Sequence, residues 1–278
     1  MHWRVSPEVE RIVQLALEED IGTGDISSVV FSDDARTRAS FVAKGSGVVA
    51  GLPVVEMTFA HLDRQVVLRG HTSDGAVVEP GQEIAHVEGP TRSLLLGERV
   101  ALNFLQRLSG IASVTRRFVD AVKGFDVTIL DTRKTAPGLR VLDKYAVRAG
   151  GGANHRFGLY DGVLLKDNHV RAAGGVERAV ALIRERLSAP ARIEVEVTTL
   201  DEVADALRAR ADIIMLDNMS LADMTAGVKL IDRQALVEAS GGITLETVRD
   251  VAATGVNWIS VGALTHSVKA LDISMEVA

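Results

Sequence analysis

The sequence predicts an α/β protein whose larger part is built on a parallel sheet. Three observations carry this. Beyond Gly124, short apolar runs recur at 127–130, 162–165, 193–197, 213–216, 236–239 and 258–261. Stretches with helical periodicity separate several of them, at 176–187, 200–208, 221–231 and 245–253. Strands joined through helices pair in parallel, because each crossover returns the chain to the same end of the sheet. The third observation is where the polar chemistry falls. Asp131-Thr132-Arg133-Lys134 follows the first run, Lys166-Asp167-Asn168-His169 the second, Asp217-Asn218 the fourth, Ser240-Gly241-Gly242 the fifth and Gly262 the sixth, while Glu194 and Glu196 punctuate the third. An α/β barrel gathers its active site at the C-terminal ends of its strands. An open doubly wound sheet does the same at its switch point, so the barrel is the preferred reading of two.

The region before Gly124 has a different rhythm. Ser6 and Pro7 suit the cap and first turn of a helix, with Val9, Ile12, Val13, Ala16 and Leu17 on one stripe and Gly22 as its stop. From Thr37 to about Gly89 the text reads as short strands at 39–43, 47–50, 66–69 and 84–87 between glycine-rich turns. Residues 77–84 resemble the hairpin of lipoyl and biotinyl carriers. The chain has no lysine between Lys44 and Lys123 to carry such a group, so the role expected there is structural. Two helices are expected next, at 91–109 and 113–122. The first is apolar on several sides, which predicts burial in a core or at a subunit interface.

Composition sets further bounds. The 278 residues are 47% hydrophobic and 24% charged, enough for a sizeable core. A net charge of −6 argues against nucleic acid as a general partner. With no cysteine, disulfides, thiolate metal sites and a cysteine nucleophile are excluded, and a reducing cytoplasm is the compartment that fits. The N-terminal stretch MHWRVSPEVERIV has no apolar signal core, and the charge-free run 251–268 is interrupted by Gly255, Asn257, Gly262 and His266. A soluble protein without a membrane partner is expected.

Within this acidic chain, the window 131–169 carries a charge of +3. Arg133, Lys134 and Lys166 stand directly after strands and read as ligand contacts, since guanidinium and ammonium groups there face small anions. Arg140, Lys144 and Arg148, about one turn apart, read instead as a solvated helix face. His155-Arg156 follows a run of three glycines and joins the basic group. Glu194 and Glu196 project from one face of their strand, where acids are costly unless they meet cations, a metal or ligand hydroxyls. Asp217 lies at the end of the next strand. Hard carboxylates of this kind, with phosphate oxygens, suit Mg²⁺. Ser240-Gly241-Gly242 and Gly262-Ala263, after the last two strands, offer backbone N–H groups for a phosphate. The residues thus predict an enzyme that grips a phosphorylated ligand at its last loops and a polycarboxylate at its early ones. They leave the reaction open.

The same residues carry a resemblance. EDIGTGDI (19–26), ERVALN (98–103), DTRKTAPGLR (131–140), AGGGANHRFGLYDGVLLKDNH (149–169), EVEV (194–197), LDN (216–218) and SGGI (240–243) resemble the quinolinate phosphoribosyltransferases over nearly the whole chain. Family members often have threonine where Ala136, Ser27 and Ser28 stand; none of these departures removes a charge.

The resemblance implies an N-terminal α/β sandwich (1–110, rejoined by the tail 270–278) and an incomplete α/β barrel (111–269). It implies transfer from phosphoribosyl pyrophosphate to quinolinate with loss of CO₂, giving nicotinate mononucleotide in NAD synthesis, with Mg²⁺ as cofactor. Thr132 belongs to the matched block. Arg133, Lys134, His155, Arg156 and Lys166 are expected on the two carboxylates, and Arg99 is expected to reach in from the other subunit of a homodimer. Glu196 and Asp217 are expected near the ribose and the metal-bound pyrophosphate. Ser240, Gly241, Gly242, Gly262 and Ala263 are expected on the 5′-phosphate. The competing expectations are a nicotinate phosphoribosyltransferase, a paralogue associated with molybdate uptake, and a non-catalytic binding protein on the same scaffold.

Overall fold

The computed structural model describes residues 6–187 and 191–278. Residues 1–5 of the N-terminal stretch read above lie outside the described residues. In chain order the elements begin with α1 (Pro7–Ile21), β1 (Arg36–Ala43), β2 (Gly47–Val48), α2 (Leu52–Leu62), β3 (Val67–Gly70), β4 (Val77–Val78), β5 (Glu83–Pro90) and α3 (Thr91–Ala121). There follow β6 (Thr128–Leu130), α4 (Arg140–Ala149), β7 (Val163–Leu165), α5 (Asp167–Ala173), α6 (Val176–Arg186), β8 (Ile193–Val197), α7 (Leu200–Arg208) and β9 (Ile213–Asp217). The chain ends with α8 (Leu221–Ile231), β10 (Leu236–Ser240), α9 (Val248–Ala253), β11 (Trp258–Ser260), α10 (Ala263–His266) and β12 (Ile273–Val277). Packing divides them into two compact units. One comprises residues up to Arg116 with Thr135–Gly151 and Thr265–Ala278; the other comprises Arg117–Lys134 and Gly152–Leu264. Boundaries drawn from sequence at 110 and 270 differ from this chiefly in residues 135–151, which pack with the first unit.

The first unit is a four-stranded antiparallel sheet in the order β12-β1-β5-β3, with β2 and β4 paired separately. Ala39, Phe41 and Ala43 alternate inward along β1 and meet α2 and α3 through Phe59, Leu94, Leu102 and Leu105. Burying a side chain as large as Phe41 or Phe59 contributes roughly 1.5–3 kcal/mol. Ser6 caps α1 by accepting from the Val9 amide, and Gly22 ends it at φ 52°. The helix α2 was not expected. Its Pro53-Val54-Val55 start is poor in helix formers, and it is held instead by Asp74, which accepts from the Gly51 and Leu52 amides at 2.8 and 3.1 Å. The Tyr145 hydroxyl donates to the same carboxyl, whose pKa burial pushes up.

Two other expectations are corrected here. The helices expected at 91–109 and 113–122 are one helix, α3. The polar step Ser109-Gly110-Ser113 is absorbed sideways: Ser109 and Ser113 accept from the Ala50 and Val48 amides, and Gly110 lies against the backbone of Lys269. Lys144, read as solvated, is buried. Beside it on α4, Asp143 is wholly buried in a bidentate pair with Arg107 at 2.9–3.1 Å and accepts the Ala136 amide.

The second unit is a parallel sheet in the order β6-β11-β10-β9-β8-β7. Strands β7 to β11 lie side by side in chain order, and the first strand, β6, returns beside the last. That cyclic order is a barrel's; a doubly wound sheet would reverse at a switch point. Among the described residues, hydrogen-bonded strands do not connect β6 to β7, so the barrel is incomplete, although residue 153 adds a parallel bridge to Leu130. Among the described residues no helix is long and apolar enough to cross a membrane. The run 251–268 is divided among the end of α9, β11 and α10.

Candidate active site

Because all six strands of the second unit are parallel, the residues after them collect at one end. The loop after β6 is fixed by Asp131, which is wholly buried and accepts from the His155 amide at 2.9 Å and from the Asn154 side chain. The Asp131 amide donates to the Ala153 carbonyl, so the 153–156 segment runs along β6. This places Thr132, Arg133, Lys134, His155 and Arg156 on two adjoining loops. The Thr132 hydroxyl accepts the Lys134 amide at 3.0 Å. Arg156 donates to the Gly162 carbonyl at 3.0 Å, and Asp161 closes the intervening turn on the Phe157 and Gly158 amides. Burial lowers the pKa of Arg156, and the neighbouring Arg133 charge lowers it further. The two guanidiniums are thus near enough to feel each other's charge.

The acids sort by depth. On β8, Glu194 and Glu196 share a face, Glu194 buried and Glu196 partly open. Lys166, half exposed after β7, pairs with Glu196 at 2.8 Å. Asp217 ends β9 and accepts from the Asn218 side chain at 2.8 Å. Asn218 itself has φ 53°, and its amide donates to Ser240, which turns the chain away after the strand. Gly241, φ 92°, abuts that side chain: a Cβ there would lie 2.3 Å from the Asn218 Oδ1, so only glycine fits. Gly242 is also at positive φ. Gly262 and Ala263 follow β11, and Ala263 opens α10. The second unit thus brings together every site residue expected from sequence except Arg99. That arginine is on α3 in the first unit, exposed, 3.9 Å from Glu98.

One group was not foreseen. The His155 Nε2 faces two buried carboxylates, Glu194 Oε2 at 3.1 Å and Glu238 Oε2 at 3.6 Å. Its Nδ1 accepts the Arg156 amide at 2.8 Å. The ring's polar edges are thus directed to protein groups, where the sequence reading had aimed them at a carboxylate ligand. Glu238 lies within the run 236–239, read above simply as apolar; a lone acid inside a core strand was the signal. Burial, then the charge of Glu194, pushes its pKa up to about 7.

The model of the quinolinate phosphoribosyl transferase C-terminal domain matches residues 111–276, and that of the N-terminal domain matches 25–109. A probable nicotinate-nucleotide pyrophosphorylase [carboxylating] of Bacillus subtilis is 46% identical over 97% of this chain and 93% of its own length. A chloroplastic nicotinate-nucleotide pyrophosphorylase [carboxylating] of rice is 43% identical over 97% of this chain and 78% of its own. The crystal structure of NadC from Streptococcus pyogenes superposes with a TM-score of 0.96 at 40% identity, covering 100% of this chain and 99% of that one. Human nicotinic acid phosphoribosyltransferase, at 13% identity and a TM-score of 0.62, shares the fold alone. With both domain models matched in order and full-length relatives above 40% identity, the chain belongs to the quinolinate phosphoribosyl transferase family.

Proposed function

We propose that this protein transfers the phosphoribosyl group of phosphoribosyl pyrophosphate to quinolinate and releases CO₂, giving nicotinate mononucleotide and pyrophosphate. The observation that carries this reading is the gathering of Arg133, Lys134, Arg156 and Lys166 on loops at one end of the parallel strands, with Arg133 and Arg156 near enough to feel each other's charge. Like charges are held together at a cost, and a ligand with two adjacent carboxylates repays it. Lys134 and Lys166 extend the same group, which exceeds what the single carboxylate of nicotinate would need.

The chemistry then asks mainly for positioning. Ser240, Gly241, Gly242, Gly262 and Ala263 receive the 5′-phosphate at the last two strands. Glu196 and Asp217 face the ribose, where their charge stabilises the cationic C1 that develops as pyrophosphate departs. The pyridine nitrogen bonds to C1 as the C1–O bond to pyrophosphate breaks. The resulting pyridinium accepts the electron pair when the adjacent carboxylate leaves as CO₂, and water supplies the proton to that ring carbon. Lys166, paired with Glu196 at 2.8 Å, links the acceptor and ribose sides of the site.

The donor set fits Mg²⁺ in one manner. Glu196 and Asp217 are hard oxygen donors, and neither belongs to a group of three protein ligands among the described residues. Such a pair suits an ion carried on a diphosphate, with Glu196 and Asp217 facing its water shell. When bound, it would neutralise charge on the leaving pyrophosphate. A homodimer in which Arg99 crosses to the partner's quinolinate site, and a cytoplasmic location, complete the reading. Arg99's exposure and the absence of cysteine support them.

The test is to incubate the protein with phosphoribosyl pyrophosphate and Mg²⁺, and with either quinolinate or nicotinate, and to follow mononucleotide and CO₂. Product and CO₂ from quinolinate are expected. Product from nicotinate alone would overturn the assignment of the cation group.

A further inference from the structure

Glu238 sits on β10 with no exposed surface. Neither of its oxygens has a hydrogen-bond partner of good geometry among the described residues, although Ser260 is close enough to favour its charged form. Across the sheet its register partners are Met215 on β9 and Trp258 on β11. An acid buried without hydrogen bonds is costly, so its neighbours are where a reason for it is to be sought. Its ionisable neighbours are Glu194 and His155.

The ring of His155 supplies that reason. Its Nδ1 accepts the Arg156 amide, so in this geometry it carries no proton. The ring proton is therefore on Nε2, facing both carboxylates. Two buried carboxylates beside one ring proton cannot both stay ionised cheaply, and the one without hydrogen bonds is the one to hold a proton.

We propose that Glu238 is a positioning residue of the acceptor site: together with Glu194 it brackets the Nε2–H of His155, fixing the neutral tautomer whose Nδ1 holds the Arg156 amide and hence the Arg156 loop. The inference deepens the quinolinate reading and rests on it only for its kinetic arm. Glu238 touches no reacting atom; it acts through His155 and Arg156, on the half of the site that binds the acceptor.

The experiment pairs two substitutions with a spectroscopic measurement. Glu238→Gln keeps a neutral polar group of the same shape; Glu238→Leu removes it. The glutamine variant is expected to keep the KM for quinolinate within about threefold of the parent. The leucine variant is expected to raise it at least about tenfold while the KM for phosphoribosyl pyrophosphate stays within about threefold. An unchanged KM for quinolinate in Glu238→Leu, or equal losses for both substrates, would overturn the proposal. ¹⁵N NMR of His155 in the parent enzyme decides the matter even where Glu238→Leu does not fold: a neutral Nε2–H ring is expected at neutral pH, and an imidazolium or an Nδ1–H ring refutes it. If the parent enzyme does not turn over quinolinate, the functional reading fails while the NMR result still stands on its own.

Discussion

Two helical glycines predict stability changes of opposite sign. In an unhindered helix, glycine to alanine gains roughly 0.5–1 kcal/mol, because glycine has more backbone freedom to lose on folding. Both Gly110 in α3 and Gly227 in α8 are candidates by that rule. At Gly227 an added Cβ would meet the methyls of Leu216 at 3.5 and 3.6 Å, which is ordinary contact. At Gly110 it would lie 2.3 Å from the Lys269 carbonyl oxygen and 3.0 Å from the Ala270 Cα, both backbone atoms. Relieving that overlap requires moving the chain that leads into β12, and overpacking of this kind costs about 1–3 kcal/mol or more. The clash outweighs the entropy. Gly110→Ala is expected to destabilise by about 2 kcal/mol and Gly227→Ala to stabilise by about 1 kcal/mol, each read from urea unfolding followed by circular dichroism. A Gly110→Ala protein as stable as the parent would refute the reasoning.

Lys134→Ala and Arg156→Ala should each weaken quinolinate binding by about tenfold to a hundredfold, the worth of a charge-assisted hydrogen bond, and phosphoribosyl pyrophosphate binding far less; titration calorimetry with each ligand separately checks the split. Asp217→Asn removes charge without bulk and should lower kcat by about a hundredfold with little change in either KM, an outcome that steady-state kinetics would contradict if turnover held. Glu238 makes a signed prediction about pH. Its folded pKa of about 7 lies above its ordinary 4.5, so its stabilising contribution is full below the lower value and is lost as pH rises through the upper one. The gap corresponds to about 3 kcal/mol. Glu238→Gln should therefore gain on the parent between pH 5 and pH 8, and parallel urea midpoints across that range would show that the carboxyl is not buried as described.

The barrel was legible because its signals are local. Each strand run is bounded by a polar or glycine step, and observed strands agree with the runs to within a residue or so at either end. The rim was legible for the same reason, since residues after parallel strands share one end whatever the packing. Side-to-side compensation was not legible. Ser109 and Ser113 look like a helix break until their hydroxyls are seen to receive the Ala50 and Val48 amides. Lys144 looks solvated from its spacing with Arg140 and Arg148, but its helix is packed against on more than one side. Helix α2 lacks an amphipathic stripe because Val54, Val55, Met57, Thr58 and Phe59 are all buried. Glu238 was hidden by its own neighbours: one acid between Val237 and Ala239 does not disturb an apolar run, and only three dimensions bring it to His155.

The placement of the acids offsets the mutual repulsion of the neighbouring cations. Arg156 and Arg133 repel each other, and burial strengthens that repulsion by removing water that would screen it. Glu194 and Asp161 act the other way, favouring the charged form of Arg156. Strand periodicity does the sorting: residues two apart on β8 share a face but differ in depth, so Glu194 lies beneath the arginines while Glu196 reaches the rim and Lys166. On the function proposed above, a Glu194 at the rim would compete with the ligand's carboxylates for the same guanidinium edges. Beneath them, it balances their charge without occupying those edges. Below its pKa of about 7 the buried carboxyl of Glu238 is neutral and adds no second negative charge beside Glu194.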